Sequence, residues 1–177
     1  MTSRVRLRPT MQSDLTYVVS LEQDEANLPF ITPWERTQHE AAIRFPDFRH
    51  FIIEGGAGLE PVGFLIFIGC RSQHASIELK RMVIAEKAQG FGRAALRVAK
   101  RVAFDDLQAH RFWLDVKGRN LRAKALYESE SFVIEGTLRQ AVRVGHRGGV
   151  DYDDLVVLSM LKTEFEVRRA AGLEMPR

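Results

Sequence analysis

The chain has 177 residues, 45% of them hydrophobic and 28% charged, a composition that excludes disordered and low-complexity classes and suits one domain with an adequate core. Its 26 basic and 23 acidic residues leave a formal charge of +3, which favours an anionic small ligand and is too small and dispersed to indicate nucleic acid. No apolar run approaches a membrane span, the first residues lack a signal-peptide core, and Cys70 is the only cysteine, so a reducing cytoplasmic setting is expected.

Val5 and Leu7 alternate with Arg4, Arg6 and Arg8, which predicts an edge strand with one wet face. Ser13 and Asp14 offer an N-cap for a helix carrying Leu15, Val18, Val19 and Glu22. Pro29 and Pro33 make Asn27 to Trp34 a loop, and a second helix is expected from Thr37 to Phe45, stopped by Pro46. Phe51 to Ile53 and Val62 to Ile68 read as strands joined through Gly55-Gly56-Ala57-Gly58. The second is apolar at every position from Phe64 to Ile68, so helices must cover both faces of the sheet there.

The stretch from Ser76 to Asp106 organises the rest. Ile77 and Leu79 share one strand face, but Met82 and Ile84 continue the apolar set out of phase, as if one extra residue sat near Arg81. A β-bulge does this, and it frees main-chain donors and acceptors for a ligand. The loop Ala85 to Gly92 follows, with a helix expected from Arg93 onward. Gly90 and Gly92 leave main-chain amides unshielded at that helix start, where the dipole also attracts negative charge, so a phosphate-bearing ligand is the expected occupant.

The helix presents an apolar stripe through Leu96, Ala99, Ala103 and Leu107, which leaves Arg93, Arg97, Lys100 and Arg101 on a solvated face, Arg93 within reach of a phosphate. Phe112 to Val116 is expected to run parallel to the bulged strand across this helical crossover. A further helix begins near Asn120 and places Tyr127 two turns along the same face. Phe132 to Ile134 and Leu155 to Leu161 supply closing strands around a hairpin tip that holds Gly145 to Gly149, Asp151, Asp153 and Asp154, and the polar tail from Lys162 is expected to be peripheral. The five histidines show no ligand spacing, so no metal site is expected.

The run Lys87-Ala88-Gln89-Gly90-Phe91-Gly92 resembles the acetyl-CoA-binding loop of the GNAT N-acetyltransferase superfamily, Arg/Gln-x-x-Gly-x-Gly/Ala, with Lys in the first position. Asn120-Leu121-Arg122-Ala123-Lys124-Ala125-Leu126-Tyr127 through Phe132 is similar to that family's Asn-x-x-Ala-x-x-Leu-Tyr-x-x-x-Gly-Phe signature, with Ser131 in place of the glycine. The resemblance spans residues 60–161 and is closest in kind to the subgroup of ribosomal-protein N-terminal acetyltransferases and spermidine N-acetyltransferase. It implies an α/β fold, α+β by some schemes: a mixed twisted sheet of about seven strands, helices on both faces, and a bulged, splayed central strand. It implies one domain over residues 1–177, with acceptor-side helices in 13–45, a cofactor core in 60–135 and a tail from 162.

The resemblance also implies a reaction. Acetyl-CoA is the co-substrate, and the acetyl group passes to a primary amine, either a protein N-terminal α-amine or a small amine or polyamine, by direct attack in a ternary complex. Main-chain N–H groups of Met82 and Val83 would polarise the thioester, Lys87, Ala88, Gln89, Gly90, Phe91, Gly92 and Arg93 would hold the pyrophosphate, and Asn120 would meet the pantetheine arm. Glu78 is the candidate base and Tyr127 the candidate proton donor to the thiolate. Their alternatives are an ion-paired strand acid for Glu78, a packing residue for Tyr127 and a helix cap for Asn120. Phe30 and Trp34, with Glu22, Asp24, Glu25 and Glu35, would form the acceptor wall. A homodimer is an open expectation, and neither nucleic acid nor membrane is an expected partner. A non-catalytic acyl-CoA-binding module is the alternative function; a dinucleotide oxidoreductase reading of Gly90-Phe91-Gly92-Arg93-Ala94-Ala95 is opposed by Glu78, Lys80 and Arg81 in the preceding strand.

Overall fold

In the computed structural model, which describes residues 5–146 and 149–174, one seven-stranded sheet carries the molecule. Across its width lie β1 (Val5–Pro9), β2 (Phe48–Gly55), β3 (Glu60–Ile68), β4 (Ser76–Ile84), β5 (Arg111–Lys117), β7 (Gly149–Leu161) and β6 (Val133–His146). Every neighbouring pair is antiparallel except β4 and β5, which are separated by a helical crossover and therefore run parallel. Helices α1 (Leu15–Gln23) and α2 (Arg36–Arg44) cover one face; α3 (Phe91–Arg101), α4 (Leu121–Ser129) and α5 (Lys162–Ala170) contribute to the core on the other.

The uninterrupted apolar run of β3 has the expected cause. Leu65 and Phe67 enter the larger core with Leu96 and Phe112, while Phe64 and Ile66 pack against Val18 and Leu21 of α1, so the strand is buried on both sides. The bulge falls one residue from its expected place: Ile66 pairs with Arg81 and Phe67 with Leu79, leaving Lys80 unmatched. That extra residue moves Met82 and Ile84 onto the face of Ile77 and Leu79, and Val83 onto the face of α1.

Beyond the bulge the sheet opens. β4 and β5 pair only over Ser76–Glu78 and Arg111–Trp113, and no further ladder joins them. Strand alternation then decides which amides are free. Ala85 N–H bonds the Val62 carbonyl, so Val83, two residues earlier, also turns its N–H to β3, whereas Met82 and Ile84 turn theirs toward the opening.

Four expectations need correction. Helix α3 begins at Phe91, because Gly90 in the left-handed region (φ 81°) is the residue that ends the loop; it closes in a wider turn over Val102–Asp106. The closing strands β6 and β7 are 14 and 13 residues long, so Asp151, Asp153 and Asp154 lie on β7 and not at a tip; Arg147 and Gly148 fall outside the described residues. The basic face of α3 is not simply solvated: Lys100 is fully buried against Glu130 at 3.2 Å and Glu174 at 2.6 Å, and Glu130 also receives Arg93 at 2.7 Å.

The segment after Lys162 is not peripheral. Phe165 is buried and stacks on Phe104 with ring centroids 4.8 Å apart, and Glu174 is locked between Lys100 and Arg168. Phe165→Ala is expected to cost about 3–5 kcal/mol, the range for removing a large buried aromatic, read as a lower urea midpoint at unchanged slope.

Candidate active site

The loop before α3 builds an anion cradle from its backbone. Ala88 (φ 67°) and Gly90 (φ 81°) both take left-handed conformations, so consecutive N–H groups curl inward and meet the unpaired amides of the first turn of α3. This cradle closes one end of a cleft of about 750 Å³. The cleft runs from Lys87–Arg93 along Met82, Val83 and Ile84, between Asn27, Phe30 and Ile31 on one wall and Arg119 to Ala123 with Leu126 on the other. Its floor is the opening between β4 and β5, where the Met82 and Ile84 amides lie.

All ten residues expected to bind the cofactor therefore line one cleft, although Val83 does so without a free N–H. Arg93 lines it while bonded to Glu130. Lys87 Nζ reaches Asn27 Oδ1 at 2.6 Å and ties the loop to the opposite wall. Asn120 caps α4, its Oδ1 accepting the Ala123 N–H at 3.2 Å, which leaves the Nδ2 donors for a ligand.

Neither Glu78 nor Tyr127 is among the residues that line the cleft: Glu78 lies on β4 before the bulge, and Tyr127 is carried by α4 into the main core. Glu78 forms a 3.2 Å pair with Lys80, and burial raises its carboxyl pKa against the pull of Lys80, with Asp115 adding to the rise. Tyr127 is buried in the main core beside Phe132, and burial, assisted by Asp115, raises its phenol far above the ordinary value. Asp115 on β5 adds to the rise at both. Cys70 is a poor nucleophile, its thiol pushed up to about 11 chiefly by burial.

A buried polar chain behind the acceptor wall has no counterpart in the expectations. Arg81, the residue after the bulge, donates through Nη1 to Glu22 Oε1 and through Nη2 to the Thr32 carbonyl at 2.8 Å, and its guanidinium lies 5.1 Å from the centroid of the Trp34 ring. Glu22 Oε2 accepts the Trp34 N–H at 2.5 Å and faces His39 Nε2 at 3.4 Å. His39 Nδ1 is 3.0 Å from His50 Nε2, and His50 Nδ1 is 2.9 Å from Thr10 Oγ1. Burial and the neighbouring His39 push His50 down to about 3, so it is neutral and has a single N–H. That single N–H serves one side of His50, toward Thr10 or toward His39, and His50 accepts on the other; His39 Nε2 approaches Glu22 without a hydrogen bond.

This corrects one member of the acid wall: Glu22 is fully buried and committed to Arg81, whereas Asp24 is exposed with one carboxylate oxygen accepting the Ala26 N–H at 2.8 Å. Sequence reasoning had no local signal for the pair, since its members are 59 residues apart; the only hint was a charged residue, Arg81, inside an apolar strand.

An opened parallel strand pair that leads from an amide cradle to a mixed polar cleft defines an acyltransferase fold built for a nucleotide-borne thioester. A family model described as Acetyltransferase (GNAT) domain matches residues 4–133, and the chain belongs to that family. It is an acetyl-CoA-dependent N-acetyltransferase. The chain is 24% identical over 176 residues to spermidine N(1)-acetyltransferase of Vibrio cholerae serotype O1 (strain ATCC 39315 / El Tor Inaba N16961), covering 93% of this chain and 97% of that one. The crystal structure of spermidine N-acetyltransferase from Vibrio cholerae in complex with CoA and spermine superposes with a TM-score of 0.80 at 24% identity, over 92% of this chain and 98% of the other. The dodecameric structure of the Vibrio cholerae enzyme in an intermediate state gives a TM-score of 0.77 at 25% identity, over 93% and 97%.

Removing Glu22 strands a buried guanidinium. Glu22→Ala is expected to destabilise the fold by about 3–5 kcal/mol near neutral pH. Burial alone would raise the Glu22 carboxyl, but His39, Arg81 and the Trp34 amide together hold it below its ordinary 4.5. Its contribution is therefore complete above that ordinary value and lost as pH falls through the lower folded one, so the gap between wild type and variant in chemical denaturation should shrink at acid pH.

Proposed function

We propose that this single domain acetylates a small primary amine held on the α1–α2 side of the sheet opening. The observation that carries the reading is the continuity of the cleft from the amide cradle to the opening between β4 and β5. The cradle of Lys87 to Arg93 receives the donor's pyrophosphate, the Asn120 amide and the free Met82 and Ile84 groups receive the pantetheine arm, and Met82 N–H polarises the thioester carbonyl. Acetyl-CoA supplies the activated acyl group; the chain supplies orientation and two proton-transfer groups.

The acceptor nitrogen attacks the thioester carbon, the C–S bond breaks, Glu78 takes the amine proton directly or through one water, and Tyr127 gives its hydroxyl proton to the departing thiolate. The raised Glu78 carboxyl suits a base that works nearer neutrality than an ordinary glutamate, and the raised Tyr127 phenol keeps its proton at neutral pH. The spermidine acetyltransferases among the relatives support a small-molecule acceptor over a protein N-terminus, and the dodecameric relative supports self-association of this chain.

Gly90→Val is the direct test of donor binding. The left-handed backbone at Gly90 opposes a β-branched residue, so titration calorimetry with coenzyme A should show binding lost; retained binding would remove the cradle from the reading. For the chemistry, kcat/KM should fall on an acidic limb lying above the ordinary glutamate value. Glu78→Gln should erase that limb and lower the rate by about 10²–10⁴, and Tyr127→Phe should lower kcat with coenzyme A affinity unchanged.

A further inference from the structure

The α1–α2 loop is fastened to the sheet by three cations. Lys87 reaches the Asn27 side chain at 2.6 Å, Arg81 the Thr32 carbonyl at 2.8 Å, and Lys117 the Pro29 carbonyl at 3.5 Å. The first two are short bonds with an evident purpose. The third is at the limit of a hydrogen bond, yet Lys117 is only 7% exposed and forms no salt bridge with any described carboxylate. A buried lysine without a counter-ion runs against the rule that buried charges are paired.

Its surroundings add positive charge. Arg81 and Arg119 both repel the Lys117 ammonium, while the one attracting carboxylate, Asp153, is itself bound to Arg119 Nε at 2.8 Å. Glu22 is committed to Arg81. Position matters as much as charge. Trp113 is level with Glu78 in the parallel ladder, and Lys117 lies four residues further along β5, about 13 Å at strand rise; with Lys80 unmatched in the bulge, the residue of β4 at the same height is Val83, across the opening. Its reach to Pro29 puts the ammonium on the acceptor side of the sheet, whereas the cradle that faces the donor's phosphates lies beyond the end of β4.

We propose that Lys117 is a specificity-determining residue whose ammonium binds a carboxylate of the acceptor, so that the preferred substrates are amines that also carry a carboxylate, such as amino acids or short peptides. This rests on the acetyl-transfer reading above and narrows it. The weak contact to Pro29 is exchanged for a charge-assisted bond to the substrate, and a bare polycation meets repulsion at the same place.

Matched acceptors that differ only by a carboxylate test it: lysine against 1,5-diaminopentane and phenylalanine against phenethylamine, with spermidine alongside, all assayed by thiol release. The expected result is a kcat/KM preference of about 10- to 100-fold for the carboxylate member of each pair, the range for one hydrogen bond to a charged group. Lys117→Met should collapse that ratio toward one and Lys117→Arg should keep most of it. Wild type that turns over the decarboxylated members or spermidine equally well overturns the proposal without a variant, leaving acetyl transfer intact. A Lys117→Met enzyme that loses both members of a pair equally, or loses affinity for coenzyme A in calorimetry, also overturns it, because the lysine then serves the donor or the chemistry. Absence of thiol release with every amine would remove the acetyl-transfer reading and this one together.

Discussion

One unmatched residue in a strand ladder shapes the active-site region. Lys80 has no partner on β3, and β4 leaves β5 after Glu78. A register shift reverses which face each later side chain occupies, so it delivers Met82 and Ile84 to the main core and Val83 to the α1 side in the same step. The loss of pairing with β5 leaves main-chain amides without partners, and unpaired backbone in a protein interior has to be satisfied by something. Under the proposed function the acetyl-CoA thioester takes that role, in a cleft that begins at the loop before α3 and runs along Met82 to Ile84.

Keeping the opening open requires the wall above it to stay in place. The Arg81–Glu22 pair does this, with Glu22 also accepting the Trp34 N–H and His39 Nε2 lying 3.4 Å from its carboxylate. An apolar pair of the same size would pack the space more cheaply, since two buried charges must recover their lost hydration. The ionic pair gives direction instead: a planar guanidinium can bond Glu22, bond the Thr32 carbonyl and face the Trp34 ring at once, which fixes the α1–α2 loop in orientation as well as distance. A second charged cluster, Glu130 with Arg93, Arg97 and Lys100, does similar work at the far end, coupling the first turn of α3 to the end of α4 and, through Glu174, to the chain's last described turn.

Much of this was legible in order along the chain. Period-two alternation, a change of phase at the bulge, paired glycines before an apolar stripe and a helix-borne Asn120 and Tyr127 are all local patterns, and local patterns follow from backbone geometry. They established the strand–loop–helix from β4 to α3 and the parallel crossover after it, along with the loop residues that line one end of the cleft. The acceptor side was not legible in the same way. Glu22, Asp24 and Glu25 looked like a cluster of acids because they are neighbours in sequence, but the first is fully buried and paired with Arg81.

The sequence by itself determined the family, the donor and the sheet with its shifted register, because each is written in residues close enough to share one element. Only the tertiary structure decided which charges remain for a substrate. The state of Glu22 depends on a guanidinium from a distant strand, the burial of Lys117 on a proline carbonyl 88 residues away, and the ordered C-terminal segment on Phe104 and Lys100 of α3 and its closing turn. Electrostatic partners are chosen by proximity in space and by what excludes water around them, and neither is a property of a stretch of chain.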